Sequence, residues 1–198
     1  MREGPGLPPG HPARATYRDA AAAEAYARSR FAKGTGPATD RREREALADL
    51  LAARGFEVTA ADQSPAMLAH AAGALAAAGL PRRMAAADAL ALPFRPATFD
   101  LVLCHRLLHH LEKEAERRAL LGSLAAASRR WVLVSWFDAR SLQHLRRALR
   151  RPFRPSRRHA VDRATPLRDA AASGLRTVAL RALRPWVSEL TFALLERA

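Results

Sequence analysis

From residue 56 to the end of the chain, short apolar runs alternate with stretches whose apolar residues recur at helical spacing. The run at 131–136 (WVLVSW) is nearly all apolar, as expected for a strand that is buried on both faces of a parallel sheet. The other runs are also short and lack a helical period, which predicts strands. The predicted strands span residues 56–61, 82–87, 99–104, 131–136, 177–183 and 187–195.

The stretches outside these runs predict helices. Leu47, Leu50 and Leu51, for example, lie at helical spacing, and Gly55 ends their pattern. Alternating strands and helices predict an α/β fold with a Rossmann-like, open, mostly parallel sheet and helices on both faces. Because the link between the last two strands is short, one of them is predicted to be antiparallel. The predicted helices span residues 16–31, 41–54, 65–78, 112–127, 141–151 and 165–173.

The stretch at 55–68 (GFEVTAADQSPAML) carries the first candidate chemistry. Asp62 follows the predicted strand, and Ser64 and Pro65 open the next helix as its N-cap and its first helical residue. A carboxylate at the carboxyl end of a strand, facing a helix start, is a common ribose ligand in doubly wound α/β folds. A turn and capping role explains Asp62 equally well, and this stretch alone leaves both roles open.

The composition is that of a globular protein. Of the 198 residues, 49% are hydrophobic, and no run of about 18 or more apolar residues occurs, so we expect a buried core and no membrane span. The single cysteine, Cys104, excludes an internal disulfide and fits a reducing compartment, which predicts a cytoplasmic location. The predicted organisation is a disordered tail (1–13) and one domain (14–198), which comprises N-terminal helices (14–55), a first group of strands and helices (56–136), and a basic helix with the final strands (137–198).

The chain is strongly basic, with a formal net charge of +14 that comes almost entirely from arginine. Together with the many alanines, this bias is typical of a GC-rich genome, so the charge is a weak functional signal. Residues 140–158 concentrate arginines around a helix with one apolar side, formed by Leu142, Leu145 and Leu149. Such a helix could bind nucleic acid or an anionic surface. The interpretation favoured at this point is a helix packed on the sheet, with its arginines solvated.

Three stretches, in this order, resemble a class I S-adenosylmethionine-dependent methyltransferase of the small-molecule type, similar to methyltransferase type 11. They are EVTAADQSPAML (57–68), ADALALPF (87–94) and FDLVLCHRLLHHL (99–111). Two later stretches, RRWVLVSWF and VSELTFALLER, fit the last strands of that fold. The resemblance covers residues 41–197 and implies S-adenosylmethionine as cofactor and a small-molecule methyl acceptor.

The resemblance also implies roles for individual residues. Asp62 would bind both ribose hydroxyls, because two carboxylate oxygens match a cis-diol, and Gln63 follows it at the same edge. Asp88 would accept a hydrogen bond from the adenine amino group, and the backbone N–H of Ala89 would donate to a ring nitrogen. His105 would lie near the methionine part and the sulfonium. Asp88 can also be read as a simple turn residue at a strand end.

The histidines are the candidate catalytic residues. The stretch from His109 to Leu111 matches a His-His-Leu stretch of the family, and either His105 or His109 would orient or deprotonate the acceptor. The ordinary histidine pKa of about 6.5 suits general base catalysis near neutrality. A role in shaping the pocket remains open for His109, and a surface position at a helix start is favoured for His110. No Cys/His cluster has the spacing of metal ligands, so no metal is predicted.

One element of the family is not found in the sequence. The first strand and its glycine-rich turn should precede Gly55, and together they hold part of the cofactor. Gly34 and Gly36 do not follow an apolar strand, so they predict a loop. With this central strand missing, the strands that end at Asp62 and Cys104 would either pair directly or keep unpaired edges. The alternative function is therefore a catalytically inactive methyltransferase-like protein, acting as an interaction module or anionic-surface binder.

Overall fold

The computed structural model describes residues 57–65, 67–69, 72, 83–150, 160–184 and 187–198, with only the backbone at 147–150. Four predicted features lie outside these residues. They are the disordered tail, the N-terminal helices, the loop at Gly34–Gly36, and the absence of a first strand before Gly55. The chain divides into two compact units, Leu7–Ala89 and Leu90–Ala198, the second of which includes residues 1–6.

The first unit contains a parallel pair of strands, β1 (Thr59–Asp62) and β2 (Arg83–Ala86). Both were predicted, and β1 extends one residue beyond the predicted end. The backbone N–H of Ala87 donates to the carbonyl of Asp62 at 3.1 Å, so the two strands end side by side. A helix begins at Pro65, directly after the turn that follows β1.

The second unit contains a four-stranded sheet in the order β3-β4-β6-β5. β3 pairs with β4 in parallel, whereas β6 is antiparallel to both of its neighbours. The predicted antiparallel strand near the C-terminus is therefore confirmed. Short 3-10 turns occupy Ala89–Ala91 and Leu108–His110. The other elements are β3 (Phe99–Cys104), α1 (Glu114–Ala127), β4 (Ser128–Phe137), α2 (Leu142–Arg150), α3 (Ala164–Ala172), β5 (Leu175–Ala182) and β6 (Leu190–Arg197).

The boundaries of these elements differ from the predicted ones where backbone pairing continues past the apolar run. β4 begins at Ser128, three residues before the predicted start, and includes the exposed Arg129 and Arg130. Ser128 pairs with Phe99 of β3, which extends the ladder beyond the apolar run of β4. α3 ends at Ala172, one residue before its predicted end, and Gly174 follows with a φ of +74°, a left-handed conformation that glycine adopts without a steric penalty.

The core of this unit lies on the central strands β4 and β6. α1 packs against β3 and β4, while α3 packs against α1 and β5. Burial on both faces explains why residues 131–137 of β4 and 190–195 of β6 are mostly apolar. The largest fully buried hydrophobic side chains are Trp136, Leu108, Leu111, Leu120, Leu121, Leu190, Leu195, Val132 and Val134.

A buried ion pair joins α1 to α3. Arg117 donates from Nε to Oδ2 of Asp169 at 2.6 Å, and both side chains are almost fully buried. Arg117 also donates from Nη1 to the carbonyl of Glu112 at 2.7 Å. The carboxylate and this carbonyl therefore compensate the guanidinium for its lost hydration, which is the condition for holding a charge inside a core.

A cluster of charged side chains links the three neighbouring strands β4, β6 and β5. Glu196 of β6 accepts from Arg130 of β4 at 2.9 Å and also pairs with Arg176 of β5. The hydrogen bond from Arg130, together with the nearby charge of Arg176, lowers the pKa of Glu196 below its usual value. The ionised carboxylate thus bridges neighbouring strands as a cross-strand pair.

No helix among the described residues is long and apolar enough to cross a bilayer.

Candidate active site

Asp62 occupies the last position of β1 and is half-buried. Its Oδ1 accepts a hydrogen bond from the backbone N–H of Ser64 at 2.8 Å, which closes the turn into the following helix. Ser64 is fully buried and caps that helix, accepting from the N–H of Met67 at 3.4 Å. The turn role proposed for Asp62 is therefore present. An ionised carboxylate has about four lone-pair sites, so this role leaves room for a ligand.

Burial raises the pKa of the Asp62 carboxyl above its usual 3.8, and hydrogen bonds from the N–H groups of Ser64 and Gln63 oppose this effect. Desolvation is the larger of the two causes. A carboxylate that is partly desolvated, and whose orientation is already fixed by its own turn, makes strong hydrogen bonds to hydroxyl donors. These features give Asp62 the properties expected of a ligand for polar groups at the edge of the sheet.

Asp88 and Ala89 lie just beyond β2, next to the end of β1. Asp62 pairs with Ala86 in the parallel register, so Asp62 and Asp88 share the carboxyl edge of one sheet. Ala89 begins a 3-10 turn, a position where a backbone N–H lacks a helical partner. The structure thus brings together the four residues assigned to the ribose and adenine: Asp62, Gln63, Asp88 and Ala89.

His105 follows the last residue of β3 and belongs to the second unit. Its Nδ1 lies 2.9 Å from the Oγ of Ser135 in β4, and the same Oγ accepts from the backbone N–H of Arg106 at 3.0 Å. Arg106 has a φ of +59°, which is uncommon for a residue with a side chain and is often found at functional positions. Ser135 is fully buried.

The ring of His105 stacks on Phe192 of β6, with ring centroids 5.7 Å apart and planes within 1° of parallel. Phe192 is the direct partner of Ser135 in the antiparallel register, so both side chains lie on the same face of the sheet. The stacking and the hydrogen bond together fix the position and the plane of the imidazole.

His109 lies on the same face but is buried, with only 3% of its surface exposed. Its ring packs on Phe137, with centroids 4.1 Å apart, and on His110 at the same distance. Phe137 is two residues beyond Ser135 in β4, and side chains at this spacing share a face. The half-buried His110 lies in a 3-10 turn, so its predicted surface position at a helix start is wrong: α1 begins only at Glu114.

Cys104, adjacent to His105, takes no part in this chemistry. The thiol is fully buried at the end of β3, and burial raises its pKa to about 12. A thiol with such a pKa stays protonated near neutral pH and is a poor nucleophile. Within the described part of the chain, no group of three or more His, Cys, Asp or Glu residues has the geometry of a metal site.

Ser135 is the site residue that the sequence did not reveal. It stands inside the apolar run WVLVSW, where a lone serine carries no motif. The alternation of side chains along β4 places this serine on the face that meets the histidines. A polar residue on that face is the only signal that could have suggested it. The left-handed backbone at Arg106 had no sequence signal, because arginine has no preference for that conformation.

Comparison with protein families finds one match in the region that contains most of these residues. Residues 45–130, a little under half of the chain, match the family model described as a methyltransferase domain. The resemblance to methyltransferases is confirmed. The matched region begins after Gly34 and Gly36 and includes Asp62, Asp88 and the histidines. Comparison with curated proteins finds no match.

Solved structures share the methyltransferase fold at low sequence identity. The magnesium protoporphyrin IX methyltransferase (ChlM) from Synechocystis PCC 6803, solved with bound SAH, is 14% identical, with a TM-score of 0.69 over 94% of this chain and 98% of that chain. A SAM-dependent methyltransferase from Methanosarcina mazei is 15% identical, with a TM-score of 0.58 over 76% of this chain and 86% of that one.

A third neighbour shows that this fold does not determine the reaction. The [4+2]-cyclase SpnF is 13% identical, with a TM-score of 0.58 over 83% of this chain and 72% of that chain. The two methyltransferases and the cyclase match at similar identity, so the likeness establishes the predicted Rossmann-like α/β fold alone. The reaction must be inferred from the site residues.

Proposed function

We propose that this methyltransferase-like chain binds S-adenosylmethionine and transfers its methyl group to a small-molecule acceptor. The observation that carries the proposal is the half-buried, turn-oriented carboxylate of Asp62 beside Asp88 at one sheet edge. The match of residues 45–130 to a methyltransferase domain supports the same assignment. The acceptor itself is left open, because no described side chain selects one.

The residues at the edge of β1 and β2 suit the polar parts of this cofactor. Asp62 would accept from the ribose hydroxyls, with Gln63 beside it, and Asp88 would accept from the adenine amino group. The N–H of Ala89 would donate to an adenine nitrogen, and the family resemblance assigns His105 to the methionine part. When bound, the cofactor supplies an electrophilic methyl group. The chain's own task is then mainly to orient the acceptor for an in-line transfer.

The contact with Ser135 bears on which nitrogen of His105 carries a proton. The Ser135 oxygen already accepts from the Arg106 N–H, and its own proton needs an acceptor because the side chain is fully buried. Among the described residues, that acceptor is Nδ1 of His105 at 2.9 Å. A neutral imidazole that accepts at Nδ1 carries its proton on Nε2. We therefore infer that the contact with Ser135 favours the Nε2–H tautomer of His105.

His109 is the other candidate catalytic residue. A general base must come within hydrogen-bonding distance of the proton that it removes. Because His109 is 3% exposed and packed on Phe137, its surroundings favour a role in shaping the pocket.

Replacing Ser135 with alanine is expected to release His105 from one tautomer. Loss of one hydrogen bond, about 1 kcal/mol, changes the ratio of the two tautomers roughly fivefold. The ¹⁵N resonances of the imidazole at a pH where it is neutral report this ratio directly. Ser128→Ala is the matched control, since Ser128 is also fully buried in β4 but bonds to Trp131 and Arg130 instead. An Nδ1–H tautomer in the unsubstituted protein would contradict the assignment.

Calorimetric titration of the full chain with S-adenosylmethionine tests the proposed function. We expect saturable binding at or below about 1 mM ligand, and weaker binding of ATP, which shares the adenosine but lacks the methionine part. No heat with S-adenosylmethionine would contradict the proposal. It would favour the alternative of a catalytically inactive methyltransferase-like protein. Incubation with isotope-labelled cofactor and candidate acceptors then identifies the transfer.

A further inference from the structure

Three large apolar side chains are half-exposed around the start of α2. Leu142 is 49% exposed, Leu145 is 55% exposed, and Val187, in the link between β5 and β6, is 48% exposed. The N–H of Gln143 donates to the carbonyl of Val187 at 3.2 Å, so these residues belong to one surface. The interpretation favoured from sequence, a helix packed on the sheet through its leucines, is therefore wrong for Leu142 and Leu145.

The start of α2 is held firmly, so the exposure of the leucines does not come from a frayed helix end. Ser141 caps the helix, accepting from the N–H of His144 at 3.1 Å and donating to the carbonyl of Asp138 at 3.2 Å. Asp138 is buried and paired with Arg163 at 2.7 Å. Gln143 also accepts from the N–H of Glu189 at 3.3 Å. The fold thus presents the leucines outward on a fixed helix.

The same segment carries a concentrated positive charge. Residues 139–161 contain eight arginines and no acidic residue. Helical spacing places Leu142 and Leu145 on one side of α2, with Arg146 beside them. Arg146 is exposed next to the leucines. An exposed apolar stripe bordered by arginines is the pattern of a helix that lies in a bilayer interface.

We propose that α2 and Val187 form a docking surface for an anionic lipid bilayer. The leucines insert among the lipids at headgroup depth, and the arginines pair with lipid phosphates and other anionic headgroups. A nucleic acid would use the arginines but would leave the leucines exposed to water. Proteins that bind single strands also stack bases on aromatic rings, and Phe153 is the only aromatic residue, apart from histidine, in residues 139–161.

Co-sedimentation of the full chain with vesicles tests this surface, without cofactor. We expect binding to vesicles of phosphatidylcholine mixed with phosphatidylserine, little binding to phosphatidylcholine alone, and weaker binding at high salt. L142S/L145S should bind about tenfold more weakly, because two apolar side chains no longer enter the lipid. V178S/L180S makes the matched change at two exposed residues of β5, so it should bind like the unsubstituted chain.

Two outcomes would overturn the proposal. One is absence of binding to the phosphatidylserine vesicles at low salt. The other is unchanged binding by L142S/L145S, which would show attraction by charge alone. An RNA oligonucleotide is also tested for its ability to displace the chain from the sedimenting vesicles. Displacement by RNA equal to that by added anionic vesicles, with no effect of the leucine substitutions, would point to nucleic acid instead. Because both leucines are exposed, circular dichroism should show the variant folded, and calorimetry with S-adenosylmethionine keeps this test separate from the proposed enzymatic function.

Discussion

Replacing Asp62 with alanine should weaken S-adenosylmethionine binding by about 10²- to 10⁴-fold in calorimetric titration. Two ribose hydroxyls donating to a carboxylate each contribute about 1.5–3 kcal/mol, so their joint loss removes about 3–6 kcal/mol. Because Asp62 is half-buried at the end of β1, its hydrogen bonds are stronger than they would be in water, and the loss of affinity can reach the upper part of this range. Binding within about threefold of the unsubstituted chain would show that Asp62 acts only in its turn.

Asp62→Asn is the matched control, because its amide oxygen can still accept from the N–H of Ser64 and keep the turn. We expect a smaller loss of affinity, since a neutral amide makes weaker hydrogen bonds to hydroxyls. Folding should not suffer. The pKa of Asp62 is raised above 3.8 in the folded state. The protonated carboxyl therefore stabilises the fold fully below pH 3.8, and this stability is lost as the pH rises through the folded-state pKa.

The same pKa sets the pH dependence of binding. The ribose hydroxyls need the ionised carboxylate, so affinity should fall on acidification through a midpoint above 3.8, the usual value for aspartate. In Asp62→Asn this titration should disappear, while any dependence that arises from other groups should persist. Calorimetric titrations at a series of pH values, in buffers of constant ionic strength, measure both effects.

Replacing Asp169 with alanine should destabilise the protein by about 3–5 kcal/mol. The substitution leaves the guanidinium of Arg117 buried without its carboxylate, between α1 and α3. Urea unfolding followed by circular dichroism measures the loss. Arg118 lies 3.6 Å from the other oxygen of Asp169 but is half-exposed, so it can turn to solvent and adds little.

Two further variants separate the buried charge from other causes. R117M/D169L removes both partners and should be much less destabilised than Asp169→Ala, because no unpaired charge remains in the core. Glu114→Gln breaks only the exposed pair with Arg118, so it should change the unfolding free energy by no more than about 0.5 kcal/mol. A double variant as unstable as Asp169→Ala would show that packing, rather than the unpaired charge, dominates this site.

Features that depend on near neighbours in the chain were predicted from sequence. The strand Phe99–Cys104 was predicted at both ends, because an apolar run between turn residues leaves little choice of register. The turn after β1 and the helix that starts at Pro65 followed from Ser64 as N-cap and from proline at the first helical position. The stop at Gly174 followed from the need for a positive φ there.

Longer-range features were not predicted, because their partners lie far apart in the chain. Ser135 and His105 are 30 positions apart, and Arg117 and Asp169 are 52 apart. No local pattern pairs such residues until the register of β3 and β4, or the packing of α1 on α3, brings them together. Which nitrogen of His105 carries its proton therefore depends on a contact with a serine that carries no motif.

The sequence by itself determined the α/β class, the antiparallel last strand, the resemblance to methyltransferases and the acidic residues at the ends of two strands. Each of these depends on periodicity, capping or a short motif, which act over a few residues. Only the tertiary structure decided that Asp62 and Asp88 share one sheet edge and that Ser135 holds His105. It also decided that Leu142 and Leu145 face outward. Helical periodicity defines an apolar face, but whether another element covers that face depends on packing across the whole fold.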